Sequence, residues 1–167
     1  MTEIQRYQVI SKQNGFEIRS YEPFITVSVS EPGSLAGSGN KAFRQLANYI
    51  FGGNRQGQQI AMTAPVTQRK VSDGFQVSFV MPASMSISEM PTPATSNLEI
   101  SEHPSGEYAA IRFSGLASEG LFLKKEETLR QKLEGSKLRS DGEATYARYN
   151  GPWTPGPLRR NEVLIAL

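Results

Sequence analysis

The chain has 167 residues, with 18 Lys and Arg against 16 Asp and Glu for a formal charge of +2, a single His and no Cys. That length carries a hydrophobic core without metal or disulfide staples. The lack of cysteine excludes disulfides and thiolate ligation, and one histidine excludes a multi-histidine zinc or di-iron site. Charges are dispersed rather than blocked, so no nucleic-acid footprint is apparent. No run of about 18 apolar residues occurs, and Met-Thr-Glu-Ile-Gln-Arg-Tyr at the N-terminus is neither a signal peptide nor an acylation motif. The expectation is a cytoplasmic protein without a membrane span, a monomer that takes a small ligand.

In chain order the pattern predicts strands at residues 7–10, 16–21 and 24–30, a helix over 37–51, then strands near 60–66 and 75–81. A second set follows: strands at 98–102 and 107–113, a helix over 118–134, then strands near 144–149 and 162–167. The recurring order suggests a duplicated strand and helix unit, with halves at about 7–83 and 98–167 joined by the Ser-, Pro-, Thr- and Met-rich stretch 84–97. Thr26-Val27-Ser28-Val29-Ser30 and Gln76-Val77-Ser78-Phe79-Val80-Met81 alternate apolar and hydroxyl side chains, which predicts a sheet with one wet face. The first helix places Phe43, Leu46, Ala47 and Ile50 on one stripe, and the second turns Phe122, Leu129 and Leu133 inward behind Lys124, Lys125, Glu126 and Glu127. Antiparallel strands in excess with one helix per half argue an α+β fold.

One stretch breaks local rules. Ile60-Ala61-Met62-Thr63-Ala64-Pro65-Val66 keeps apolar residues on both sides of a proline that cannot donate to a sheet ladder. With Phe16-Glu17-Ile18-Arg19-Ser20-Tyr21-Glu22-Pro23, the helix running to Gly52-Gly53-Asn54, Ile111-Arg112-Phe113-Ser114-Gly115, Tyr149-Asn150-Gly151-Pro152-Trp153 and Arg159-Arg160-Asn161-Glu162-Val163, it gives the chain a resemblance to the SOUL/heme-binding protein family from about residue 7 to the end. The resemblance implies a distorted antiparallel barrel of about eight strands with two flanking helices, similar to bacterial effector-binding domains. It also implies a site for haem or another tetrapyrrole.

Such a site needs an apolar slot, one or two cations for the propionates and, for tight iron binding, an axial donor. The resemblance places the ring along the first helix and the loop from Tyr149 to Leu158, so that Phe43, Leu46, Ala47, Ile50, Met62 and Trp153 supply its walls. The family's ligands are missing. Where one branch has an axial histidine this chain has Ser20, and the arginine, methionine and lysine of the other branch fall at Asn40, Ala47 and Asn48, with its loop lysine near Thr154. His103 precedes Pro104 at a turn and reads as a surface histidine, leaving Tyr21, Tyr49, Tyr149 and Met62 as weaker donors. Lys41, Arg44, Arg55, Arg159 and Arg160 are the cations within reach, with Arg160 equally able to pair internally with Glu162. The expected mode is reversible, largely hydrophobic binding without a strong axial ligand, with Phe43, Arg44, Leu46, Ala47, Ile50, Met62, Trp153 and Arg160 as contacts.

No Gly-x-Ser-x-Gly, His-Glu-x-x-His, phosphate loop or dinucleotide fingerprint is present. The chain is read as a binding protein rather than an enzyme. The alternative is a carrier, sensor or hydrolase of another small lipophilic ligand, for which Glu162 would be a carboxylate base of raised pKa in an apolar pocket.

Overall fold

A computed structural model of the chain describes residues 2–167. In chain order the strands and helices are β1 (Glu3–Ile4), β2 (Tyr7–Gln13), β3 (Phe16–Tyr21), β4 (Phe24–Pro32), α1 (Leu35–Ile50), β5 (Thr63–Ala64), β6 (Val66–Lys70), β7 (Gly74–Val80), β8 (Glu99–His103), β9 (Gly106–Phe113), α2 (Glu119–Gly135), β10 (Ala144–Arg148) and β11 (Asn161–Ala166). One-turn 3-10 helices lie at Ile87–Glu89 and Gly156–Leu158. The α+β class, the antiparallel pairing and the two helices expected from the sequence are all present. No helix among the described residues is long and apolar enough to cross a membrane.

The chain forms two compact units, and each draws strands from both halves of the sequence. Unit one comprises the N-terminal residues through Gln5 together with Pro23–Pro104. Its strands run in the order β6-β7-β4-β8, all antiparallel, with β1 and β5 as a separate parallel pair. The expected strand at 60–66 is instead two short ones, because Pro65 interrupts the ladder between β5 and β6 and the Ala64–Pro65 peptide is cis. Val27 and Val29 of β4, Val77 and Phe79 of β7 and Ala42, Leu46, Tyr49 and Ile50 of α1 form one core. The face of β4 expected to be wet is covered only in part: Ser30 is exposed, while Thr26 and Ser28 are buried. They are accommodated because each hydroxyl is bonded, Ser28 to Ser78 Oγ at 2.7 Å and Thr26 to His103 Nε2 at 2.8 Å.

α1 begins two residues before its expected start because Ser34 caps it, accepting from Gly37 N–H at 3.1 Å. It ends where Gly52 takes φ +105°, a conformation that costs glycine nothing. Asn54 then locks the exit by donating to Tyr49 O and Gln58 O and accepting from Gln58 N–H. The stretch 84–97 lies within unit one, where Tyr49 Oη donates to Pro91 O at 2.7 Å and Met85 and Met90 cover the core.

Unit two comprises Arg6–Glu22 and Ser105–Leu167, with antiparallel order β2-β3-β9-β11-β10. α2, capped by Ser118, lies on β9 and β11. As expected, Phe122, Leu129 and Leu133 are sealed inward, and Phe122 is stacked on Tyr146 (4.7 Å) and edge-on to Phe113 (5.3 Å). A second cluster joins Tyr21, Ala110, Ala147 and Leu164 to Tyr7, Tyr108 and Tyr149.

Removing a sealed ring leaves a cavity, whereas trimming an exposed one does not. Phe122→Ala is expected to lower the unfolding free energy by about 3–5 kcal/mol in urea titrations. Phe51→Ala, 64% exposed at the end of α1, is expected to change it by no more than about 0.5 kcal/mol.

Candidate functional site

Two surfaces carry chemistry, one in each unit. In unit one it is the outer side of α1. Positions 43, 47 and 51 follow the i, i+4, i+8 spacing of one helix face, and there Phe43 is 40% exposed, Ala47 half-buried and Phe51 64% exposed. Phe43 is anchored edge-on to Phe79 at 5.3 Å. Arg44 is exposed beside this line, and Met62 is half-buried against the core of the unit. Lys41 is engaged with Glu31 at 3.2 Å. Gln45 Nε2 donates to Glu31, and with Lys41 it holds the Glu31 carboxyl below the usual range.

The expected stripe divides at this helix. Leu46 and Ile50 lie on its inner side and are fully buried, so neither has surface to offer a ligand. Phe51, read from the sequence only as the helix end, belongs with Phe43 and Ala47; its i+8 spacing from Phe43 was the signal that identifies it.

The expected tyrosine donors and His103 are committed elsewhere. Tyr49 is spent on Pro91, and burial pushes its pKa up to about 12. His103 is stacked on Phe24 at 4.6 Å and bonded to Thr26, so it is structural rather than free on the surface. Burial, then the charge of Arg69, lowers its pKa.

In unit two the sequence segments 16–23 and 159–163 meet. Glu17, Arg19 and Tyr21 alternate along β3 and share one face. Glu162, on β11, is 0% exposed. Arg19 grips it with both ends of its fork, Nη1 to Oε1 at 2.9 Å and Nη2 to Oε2 at 2.6 Å. Its Nε donates to Glu17 at 2.9 Å, its Nη1 also to Tyr21 Oη at 3.2 Å, and its guanidinium lies 4.1 Å over the Tyr7 ring. Arg160 adds a second cation: Nη2 donates to Glu162 Oε2 at 3.1 Å and to Tyr7 Oη at 2.9 Å, and the group stacks 3.9 Å over Tyr149. Of the two possibilities for Arg160, internal pairing is the one realised.

Burial by itself would raise the Glu162 pKa. The hydrogen bonds and charge of Arg19, with help from Tyr149 and Arg160, outweigh it and hold the carboxyl below its ordinary value. This overturns the expectation of a base with a raised pKa: the carboxylate is buried among guanidinium groups, not in an apolar pocket. Tyr21 is pushed up to about 12 and Tyr149 higher still, in both cases first by burial, so neither offers a phenolate near neutral pH.

Trp153 also belongs to unit two. It is 84% exposed, at the tip of a loop that Arg159 braces by donating to Thr154 O and Pro152 O at 2.7 and 2.8 Å. Thus Phe43, Arg44, Ala47 and Met62 share unit one, while Trp153 and Arg160 sit in unit two, one free and one committed.

The sequence profile of the SOUL heme-binding protein family matches residues 2–166. Heme-binding protein 1 of Mus musculus is 28% identical over 178 residues, covering 95% of this chain and 90% of the mouse protein. Among solved structures, the EcmrR C-terminal domain is similar with a TM-score of 0.68 at 12% identity, covering 96% of each chain. An uncharacterized conserved protein from Listeria innocua gives 0.64 at 14% identity over 91% of each. At such identities the two structures speak to fold alone.

Glu162→Gln keeps the shape of the cluster and leaves two guanidinium groups without their counter-charge. At pH 7 it is expected to cost about 3–5 kcal/mol. A carboxyl whose folded pKa is depressed contributes stability above its unfolded value, and that contribution is lost as pH falls through the folded pKa. The gap between wild type and Glu162→Gln in denaturant titrations should therefore narrow as pH falls below the ordinary carboxyl value of 4.5, because the wild-type side chain then becomes neutral like the amide.

Proposed function

Because the chain belongs to the SOUL heme-binding protein family, we propose that it binds haem or a related tetrapyrrole reversibly on the outer side of α1, by contact area and charge pairing rather than through the iron. The observation that carries this reading is the apolar line Phe43, Ala47, Phe51 left open on a helix whose other side is fully used by the core. It extends from Phe43 to the C-cap Phe51, a rise of about 12 Å, and both rings are solvent-exposed. Arg44 stands beside it as an exposed cation able to meet a propionate. Met62, half-buried against the core of the same unit, is a further candidate contact.

When bound, haem supplies a planar apolar ring, two carboxylates and an iron. The chain's residues fit the first two. They do not offer a free imidazole, since His103 is stacked and bonded, and Tyr21 and Tyr49 spend their hydroxyls within the protein. The mode that follows is one in which metal-free porphyrin serves nearly as well as haem. Trp153, a large exposed ring in a braced loop, belongs to unit two. Arg160 is a weaker propionate partner than the sequence suggests, because its guanidinium already serves Glu162.

The reading is tested by titrating the protein with hemin and with protoporphyrin IX. The expected result is dissociation constants within about threefold of one another, since an axial bond is what would separate them. Phe43→Ala and Phe51→Ala are each expected to weaken both ligands by about tenfold, the worth of one buried ring face. Arg44→Ala should weaken them less, with an effect that shrinks as salt is raised. Trp153 is the chain's one tryptophan, so quenching of its emission reports whether that loop is within reach of the ligand. Tight hemin binding with no response to protoporphyrin would overturn the mode. Binding indifferent to Phe43 and Phe51 would overturn the site, and a lipophilic ligand displacing porphyrin from an intact site would favour the broader carrier.

A further inference from the structure

We infer that unit two contains a receptor site for a small planar cation and that the chain fills it with its own Arg19 guanidinium. This lies outside the tetrapyrrole reading and does not depend on it. A receptor for such a cation needs a desolvated carboxylate that can accept two parallel N–H bonds, an aromatic face to stack on, and acceptors along the remaining edge. All three surround Arg19. Glu162, excluded from water, takes both prongs of the fork at 2.9 and 2.6 Å. Tyr7 lies 4.1 Å beneath the plane. Tyr21 Oη and Glu17 Oε2 accept two further N–H groups at 3.2 and 2.9 Å.

Arg160 is held differently and does not fill the same role. Its bonds to the carboxylate, at 3.1 and 3.4 Å, both go to Oε2, and its plane stacks on Tyr149 rather than Tyr7. Oε1 is served by Arg19 Nη1. Truncating Arg19 therefore removes from the water-excluded carboxylate both bonds of the fork, next to an uncovered tyrosine face and two idle acceptors. The chemistry that satisfies this vacancy is two parallel N–H groups on a flat cation, as in guanidinium and amidinium compounds. A single ammonium matches one bond and none of the plane.

The consequence for the intact protein is exclusion. External cations find the site already occupied by a tethered group whose effective concentration they cannot match. Glu162 is for the same reason closed to use as a base.

The test is rescue of full-length Arg19→Ala by methylguanidinium chloride at sub-denaturing concentrations, with sodium chloride and methylammonium chloride at matched ionic strength as comparators. Thermal unfolding is the readout. The expected result is a saturable rise in Tm of about 2–4 °C at about five times the dissociation constant, seen with methylguanidinium and not with either comparator, and not in the wild type. Where Arg19→Ala does not fold unaided, refolding yield replaces Tm, and recovery with methylguanidinium alone is the supporting outcome. The inference is overturned if wild type and variant respond alike, if methylammonium or sodium serves equally well, or if methylguanidinium changes neither Tm nor refolding yield.

Discussion

A carboxylate removed from water must be compensated, and the way Glu162 is compensated governs what unit two can do. Taking such a group out of solvent costs several kcal/mol even after relaxation. The bidentate contact from Arg19 returns most where the geometry is tightest, and Arg160 adds charge at one oxygen. Each guanidinium then needs its own covering, which the tyrosine rings at positions 7 and 149 provide with their faces while Tyr21 and Glu17 take the remaining protons. The aromatic cluster of this unit is thus a casing around charge. Its tyrosines are spent on that task, and a carboxylate held ionised and fully bonded has no tendency to take a proton from a substrate.

The exposed apolar surface lies in the other unit. α1 presents two unlike faces: an inner one where Leu46, Tyr49 and Ile50 are sealed against β4 and β7, and an outer one where Phe43 and Phe51 meet solvent. Single exposed apolar residues are ordinary on a protein surface. Two phenylalanines on one helical line, with a small alanine between them and an exposed arginine alongside, form a flat apolar strip with a charged margin. Ala47 matters here by being small, since a longer side chain at that position would stand between the two rings.

Periodicity made the local structure legible and left the partnerships hidden. The 3.6-residue pattern of α1 and the inward Phe122, Leu129 and Leu133 of α2 could be read directly, because burial of one helix face writes itself into neighbouring positions. The same pattern could not tell inner from outer within a broad stripe: Leu46 and Ile50 lie within about 60° of Phe43 around the helix axis, and which is sealed depends on β4 and β7. Hydroxyl alternation in β4 suggested water on one side, yet Thr26 and Ser28 are buried because each found another polar side chain. Glu162 was visible as a late-strand acid, but its partner Arg19 lies 143 residues away. Only the pairing of β3 with β9 and of β9 with β11 brings the two together, and without that pairing the direction of its pKa could not be deduced.

The strand orders carry the argument one step further. In unit one β4-α1-β6-β7 folds so that the strand after the turn, β7, lies between β6 and β4. In unit two β9-α2-β10-β11 places β11 between β10 and β9 in the same way. Each set is extended beyond its first strand by one borrowed from the other half of the sequence, β8 beside β4 and β3 beside β9. The two sets share this order, which gives each helix a counterpart for comparison. α2 covers its outer side with Lys124, Glu127 and other charged residues and leaves mainly Leu123 in the open. α1 keeps Phe43 and Phe51 there instead. Fold requirements are the same for both helices, since each needs only its inner face to be apolar. Exposed aromatic residues on the outer face of one helix and not the other are therefore not demanded by the architecture.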